Sequence, residues 1–359
     1  MISREELVCL WFDYNDYSFS KLERVLVCFD RIDNLFDKKL IKNAFFDKDL
    51  EEIKTKLLAL DEEKFLKQIE EDFFRVGISA VTYVSKEYPD KLKVIADPPL
   101  VLYVKGDKSL LNKKSISIVG TRSPSEYGKI VCEKFTKELS QAGLVTVSGL
   151  AFGIDTIVAE TTLSCGGKTI AVLGGGLDSI YPAANTNLSK KVSENGLLVS
   201  EYRIGVKPLS YSFVNRNRIV SALGLGTLII EAGKKSGTMT TARHAIEQSR
   251  ELFVVPGNIY SKTSEGTNNL IDEMPDTFTI SPDRILSRLK IKKNVKPKSS
   301  VQVGFEDNSI LNLLSCGEKS FDELCDTLNM KPAELTSELI RMEMFGLIKV
   351  GDDGYYYKK

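Results

Sequence analysis

A single histidine stands in the 359 residues, and none of the six cysteines (9, 28, 132, 165, 316 and 325) forms a CxxC pair. One histidine and unpaired thiols supply neither a zinc set nor a disulfide framework, so no metal is expected, nor any other cofactor. GxGxxG is also missing, which leaves dinucleotide binding in the usual manner without support. No apolar run approaches the ~20 residues that cross a bilayer. The opening MISREELVCLWFDYND sets acids and a tryptophan where a signal peptide needs an uninterrupted apolar core. The expectation is a cytoplasmic protein with no membrane partner. Nor is there an excess of charge of one sign: Lys and Arg number 49, Asp and Glu 49, and the formal charge is +0. Attraction to an anionic partner must therefore be local.

Locally, the positive charge is there. Between residues 203 and 250 eight Lys or Arg stand against Glu231 and Glu247, a net of +6. The same region holds TLIIE at 227–231 and LFVV at 252–255, short β-branched runs that suit parallel strands buried on both faces. Between them AGKKSGTMTT at 232–241 brings small residues, hydroxyls and two lysines to a strand-to-helix turn. Helix N-termini there offer free N–H groups and a positive dipole end to anions. The pattern recurs upstream. A strand at 116–119 leads to Gly120-Thr121-Arg122 and a helix over 125–142. Residues 144–147 lead to Ser148-Gly149 and a helix from Ile154, 169–173 to Gly174-Gly175-Gly176, and 197–199 to Ser200-Glu201. Gly and Ser at strand ends let backbone amides approach a phosphate without an obstructing Cβ. Alternating strands and helices predict an α/β fold, a doubly wound, extended Rossmann-like and mostly parallel sheet that binds ligands beyond its strand C-termini. Arg122 alone would suit a helix-start surface position, and the Gly-rich turns alone would suit tight packing; their coincidence with Arg122, Arg216 and Arg218 favours a binding rim.

Several motifs occur in a fixed order: Gly120-Thr121-Arg122, Ser148-Gly149-Leu150-Ala151, Gly153-Ile154-Asp155, Leu173-Gly174-Gly175-Gly176-Leu177-Asp178, Tyr181-Pro182, Ser200-Glu201-Tyr202, Arg216-Asn217-Arg218-Ile219, Ser236-Gly237 with Thr241-Ala242-Arg243, and Val255-Pro256-Gly257. Together they closely resemble the DprA/Smf family of DNA-processing proteins over about residues 75–280. The resemblance implies a protein without enzymatic activity that binds and protects single-stranded DNA and delivers it to the RecA recombinase in natural transformation or recombination. It also implies a homodimer formed through the core. The candidate nucleic-acid contacts are Gly120, Thr121, Arg122, Ser148, Gly149, Gly174, Gly175, Asn185, Phe213, Arg216, Asn217, Arg218, Lys234, Lys235, Ser236, Gly237 and Thr238. Amides and cations among them would hold phosphates, and Phe213 would accept bases. For Arg218 a second reading stands beside this one, a structural pairing with Glu231 or Glu201.

Departures from the family pattern remove positive charge. Many relatives have Arg where Phe152 stands, His at Ala159, and a basic residue where this chain has Ala183 and Asn187. Phe152 is either an aromatic face for a base or a buried side chain. The rival reading is a nucleotide phosphoribohydrolase of the lysine-decarboxylase-like group. Gly224-Leu225-Gly226-Thr227 followed by Glu231 resembles that group's PGGxGTxxE motif, but the Pro-Gly-Gly is missing and Glu231 falls one residue late.

Flanking segments differ in charge. Residues 1–75 carry Leu22, Val25, Leu26 and Phe29 at helical spacing and a net of −5, which predicts a small helical domain. The resemblance makes it a sterile-alpha-motif or helix-hairpin-helix unit. It lacks a Gly-rich hairpin to grip a DNA backbone, so protein contacts are expected of it. The core is expected over 76–290, its first residues adding strands to the sheet, followed by a basic linker at 291–304. Residues 305–359 read as a winged helix with a hairpin turning at Asp352-Asp353-Gly354. That segment also carries −5, and Glu334, Glu338 and Glu343 face Arg341 alone on its presumed recognition helix. Phosphates would be repelled there, so a protein-contact or packing role is expected.

Overall fold

The computed structural model describes residues 2–44, 46–291, 309–315, 317–344, 347–351 and 354–358. They belong to two units, Met1–Asn294 and Val295–Lys359. The first opens with α1 (Arg4–Tyr14), α2 (Phe19–Leu26), α3 (Lys38–Asn43), α4 (Glu51–Leu58) and α5 (Glu62–Val76). Ser3 caps α1 and forms a capping box with Glu6. Leu7, Val8, Cys9, Leu10, Trp11 and Phe12 follow in unbroken succession, and all are buried. Only a helix enclosed on every side has that pattern. Part of the enclosure is the sheet, for Leu100, Val101 and Tyr103 belong to the same apolar cluster as α1.

After these helices come β1 (Ser79–Thr82), α6 (Asp90–Lys93), β2 (Val101–Gly106), β3 (Ser115–Val119), α7 (Glu126–Gln141), β4 (Val145–Ser148), α8 (Ile154–Ser164), β5 (Thr169–Leu173), α9 (Thr186–Asn195) and β6 (Leu197–Ser200). Then follow α10 (Ser210–Leu223), β7 (Gly226–Ile229), α11 (Gly237–Glu247), β8 (Glu251–Val254), α12 (Glu265–Glu273) and α13 (Pro282–Arg288). The core strands expected from sequence are present, with bounds shifted by a residue or two. One eight-stranded sheet results, in the order β1-β2-β6-β5-β4-β3-β7-β8. From β3 to β8 all neighbours are parallel. β2 pairs antiparallel with β6, and β1 antiparallel with β2, so residues 79–106 do extend the sheet.

Burial of β3 on both faces forces its polar residues to find partners inside. Ser115 and Ser117 donate from Oγ to the carbonyls of Leu223 and Val220, at 2.5 and 2.6 Å, and so pin the last turn of α10 over the strand. The strand order reverses beside β3, which has β4 on one side and β7 on the other. In doubly wound sheets that reversal opens a crevice at the strand C-termini. Here it separates the turn after β3 from the turn after β7.

In the second unit, α14 (Ser309–Ser315), α15 (Phe321–Leu328), α16 (Pro332–Met344) and the antiparallel pair β9 (Ile348–Val350) and β10 (Tyr356–Lys358) enclose a small core that includes Ile310, Leu314, Leu324, Leu335 and Leu339. The expected basic linker lies, Ile291 apart, outside the described residues, as do Asp352 and Asp353 of the expected hairpin turn. Among the described residues no helix is long and apolar enough to cross a membrane.

A buried acid joins α1 to the sheet. The Tyr103 hydroxyl donates to Asp13 Oδ2 at 2.6 Å, and Arg203 donates to the Asp13 carbonyl at 3.1 Å while pairing with Asp16. Burial pushes the Asp13 carboxyl up to about 7, against the pull of the tyrosine hydrogen bond and the Arg203 charge. Between about pH 4 and pH 7 the folded chain therefore holds a proton that the unfolded chain has released. This contribution to stability is fully present below the unfolded value and is lost as pH rises through about 7. Asp13→Asn should remove the decline, so that the variant gains in melting temperature relative to the parent between pH 5 and pH 8. An offset that does not change with pH would contradict it.

Candidate nucleic-acid interface

The crevice is a cleft of about 730 Å³ between the turns after β3 and β7, and α10 runs along its side. Arg216 of α10 forms its floor. This side chain is only 4% exposed, and its Nη1 donates to the carbonyls of Gly149 (2.6 Å) and Val172, the ends of β4 and β5. The opposing charge is Asp155, in the first turn of α8, whose Oδ2 accepts the Gly149 and Ala151 amides at 3.1 and 3.3 Å. Burial lowers the pKa of Arg216 and raises that of Asp155, and each charge counters the shift of the other. A Cβ at position 149 would collide with the guanidinium, so a glycine is required there.

The walls are the two turns. Thr121 donates its amide to the Glu231 carbonyl at 2.7 Å and accepts the Ile154 amide at 3.2 Å, while the Gly120 carbonyl accepts from Thr238 Oγ1 at 2.9 Å. Gly153, at φ +75°, passes beneath Thr121 and Arg122 with no room for a side chain. Opposite, Ser236 caps α11 by accepting the Thr238 amide at 3.2 Å, with Gly237 exposed at the helix start. Asn217 Nδ2 ties α10 to this end through the Gly237 carbonyl at 3.3 Å. Arg122 is exposed, its guanidinium 5.7 Å from the centre of the Phe213 ring. Phe213 in turn lies 5.3 Å from Tyr181 at an interplanar angle of 41°. Cation, aromatic faces and a helix N-terminus thus share one opening.

Of the candidates from sequence, Gly120, Thr121, Arg122, Phe213, Arg216, Asn217, Lys235, Ser236, Gly237 and Thr238 line the cleft. Others support it from behind. Ser148 Oγ donates to the Ile118 carbonyl at 2.8 Å, and Asn185 Nδ2 donates to the Leu150 carbonyl and Thr156 Oγ1, both at 2.9 Å. Gly174 is buried against Phe213 and Gly175 against Pro208. Lys234 is exposed but does not line the opening.

Arg218 is elsewhere. Two residues along a helix is a rotation of about 200°, so Arg216 and Arg218 leave α10 on opposite sides. Arg218 pairs with Glu201 at 2.6 Å and Asp97 at 3.3 Å, in a second cavity of about 470 Å³. Its convergence with Arg122 on one rim is thereby replaced by the structural pairing with Glu201. Glu231, the acid of the rival reading, is buried with both oxygens engaged. Oε2 accepts from the Ser125 amide and hydroxyl at 3.0 and 3.1 Å, and Oε1 accepts from Thr263.

Asp155, Tyr181, Lys262 and Thr263 also line the cleft and were not among the candidates. The first two sit in Gly153-Ile154-Asp155 and Tyr181-Pro182, where an acid in the first turn of a helix and an aromatic beside a Gly-rich turn were the available signals. Nothing local marks Lys262 and Thr263, which arrive from the loop after β8. Phe152 is 47% exposed and Ala159 buried at 2%.

Arg218→Ala would leave the mostly buried Glu201 without its main partner, a loss of about 3 kcal/mol by the cost of breaking such pairs. Arg122→Ala removes only an exposed side chain and should leave stability unchanged within about 0.5 kcal/mol. Urea unfolding of the two variants measures both; equal stability losses would contradict this division.

The profile of the family DNA recombination-mediator protein A matches residues 79–290. The DNA processing protein DprA of Bacillus subtilis (strain 168) is 43% identical over 198 residues, which make up 55% of this chain and 67% of that protein. Protein Smf of Escherichia coli (strain K12) is 34% identical over 281 residues, 76% of this chain and 75% of that one. Among solved structures, DNA processing protein A of Streptococcus pneumoniae superimposes with a TM-score of 0.61 at 30% identity, covering 80% of this chain and 93% of the other. The DNA processing protein A of Helicobacter pylori, whose single-stranded DNA binding mode that structure describes, superimposes with a TM-score of 0.54 at 34% identity, covering 59% and 95%. With the ordered motifs of the strand ends and the profile match spanning the core of the sheet, this chain belongs to the DNA recombination-mediator protein A family, the DprA/Smf family of DNA-processing proteins.

Proposed function

We propose that the cleft holds the phosphate backbone of single-stranded DNA without reading its sequence, and that the protein, as a homodimer in the cytoplasm, delivers that strand to the RecA recombinase. The observation that carries the DNA reading is the placement of exposed Arg122 over Phe213, facing the capped start of α11 with Lys235 beside it. A cation and free helix-start amides suit a phosphate, and the ring suits an unstacked base. A duplex keeps its bases stacked inside, so the ring favours a single strand. The single-stranded DNA binding described for the Helicobacter pylori relative supports the same reading, and RecA delivery and the homodimer rest on the family resemblance.

Against the phosphoribohydrolase reading stands Glu231. Its two oxygens are occupied in holding the start of α7 and the loop after β8. An acid so buried and so engaged holds the two loops together, and no hydrolytic role is proposed.

Arg122→Ala should weaken binding to single strands of every sequence alike and lower the slope of log K against log salt by about 0.7 for a lost phosphate contact. Fluorescence anisotropy across a salt series, with duplex as comparison, is the test. A slope equal to the parent's, or a duplex bound as tightly as the single strand, would contradict the proposal.

A further inference from the structure

Two half-exposed aromatic rings lie near Phe213. Phe152 is 47% exposed and Tyr181 50%, and with Phe213 and Arg122 they line one narrow slot that opens into the cleft. Single exposed apolar residues are ordinary; here Tyr181 packs against Phe213, and Phe152 lines the same slot beside Arg122.

The turn that carries Phe152 is held rigidly. Leu150 is buried in the left-handed region at φ 56°, and Gly153 follows at φ 75°. The amides of Gly149 and Ala151 go to Asp155, the carbonyl of Leu150 accepts from Asn185, and that of Ala151 accepts from Thr156 Oγ1 at 2.7 Å. A side chain presented from a backbone so constrained loses little freedom when it is contacted, which favours a preorganised binding role. The slot has arginines and no carboxylate among its lining residues, so it tolerates an adjacent phosphate.

We propose that Phe152 and Tyr181 form a second stacking platform, which takes the nucleobase next to the one at Phe213 and lengthens the track along the strand. This rests on the reading of the cleft as a single-stranded DNA site. It adds a contact with bases that does not depend on charge.

The test compares an oligothymidylate with the same strand in which the thymines are replaced by abasic residues. Phe152→Ala should bind the intact strand about 5- to 150-fold more weakly, the range of one lost base–aromatic stack, with the abasic strand and the salt slope unaffected. Phe152→Leu keeps the bulk without the π face and should fall with Phe152→Ala. Unchanged affinity for the intact strand, or an equal loss on both strands, would overturn the platform. So would a change in sedimentation of Phe152→Ala, which would place the ring at a contact between copies of the chain. Should truncation disturb folding, Phe152→Trp provides an exposed indole, since the chain's only other tryptophan, Trp11, is buried. Its fluorescence should be quenched by the intact strand and not by the abasic one, and the absence of quenching would overturn the proposal. If the parent binds neither strand, the DNA site itself falls, and the platform with it. If Arg122→Ala weakens both strands while Phe152→Ala weakens neither, the site stands and the platform alone is lost.

Discussion

The cleft depends on one buried arginine. Arg216 leaves α10, passes under the cleft and caps the carbonyl ends of β4 and β5, with Asp155 as its counter-charge. A guanidinium brought out of water is tolerated only where its donors and its charge are both answered. The consequences spread along the chain. Position 149 must be glycine, Asp155 must turn its carboxylate to the Gly149 and Ala151 amides, and α10 is fixed in height and rotation over the strand ends. That rotation sets Phe213 and Asn217 on the cleft side, where Asn217 meets α11 and Phe213 meets Arg122. Buried Arg216 thus helps to position exposed Arg122.

Charge in this region separates into structural and functional parts by burial and partner. Arg203 is paired with Asp16, Arg218 with Glu201 and Asp97, and Arg250 donates to the Lys91 carbonyl. With Arg216 enclosed, the net of +6 between residues 203 and 250 overstates what a polyanion meets. Arg122, outside that segment, and Lys235 face the cleft, joined by Lys262 from the loop after β8, five residues beyond Val255-Pro256-Gly257. Arg216 being buried with Asp155 as its counter-charge, Arg122, Lys235 and Lys262 share the opening with the aromatic faces and helix-start amides.

This explains which parts were legible in the sequence. Strands β3 to β8 could be read because strands covered on both faces are apolar runs, and the turns after β3 and β7 because Gly, Ser and Thr cluster where a backbone must bend closely. Arg216 and Arg218 look alike in the string RNR; only the rotation of a helix and the position of Glu201, distant in sequence, tell a floor residue from an ion-paired one. Gly174 and Gly175 likewise looked like phosphate turns but make room for Phe213 and Pro208. The packing of residues 4–76 onto the sheet was hidden for a similar reason, since Tyr103 and Asp13 become partners only when the chain folds back.

We propose that a single strand of DNA lies over the C-terminal rim of the sheet, at the point where the order of the β-strands reverses. Amide hydrogen exchange with and without an oligothymidylate tests this most directly. The account predicts slowed exchange in the turns at 120–123, 150–153 and 235–238, with no change around Glu201 and Arg218. Slowed exchange confined to residues 309–358, with the cleft unaltered, would contradict it.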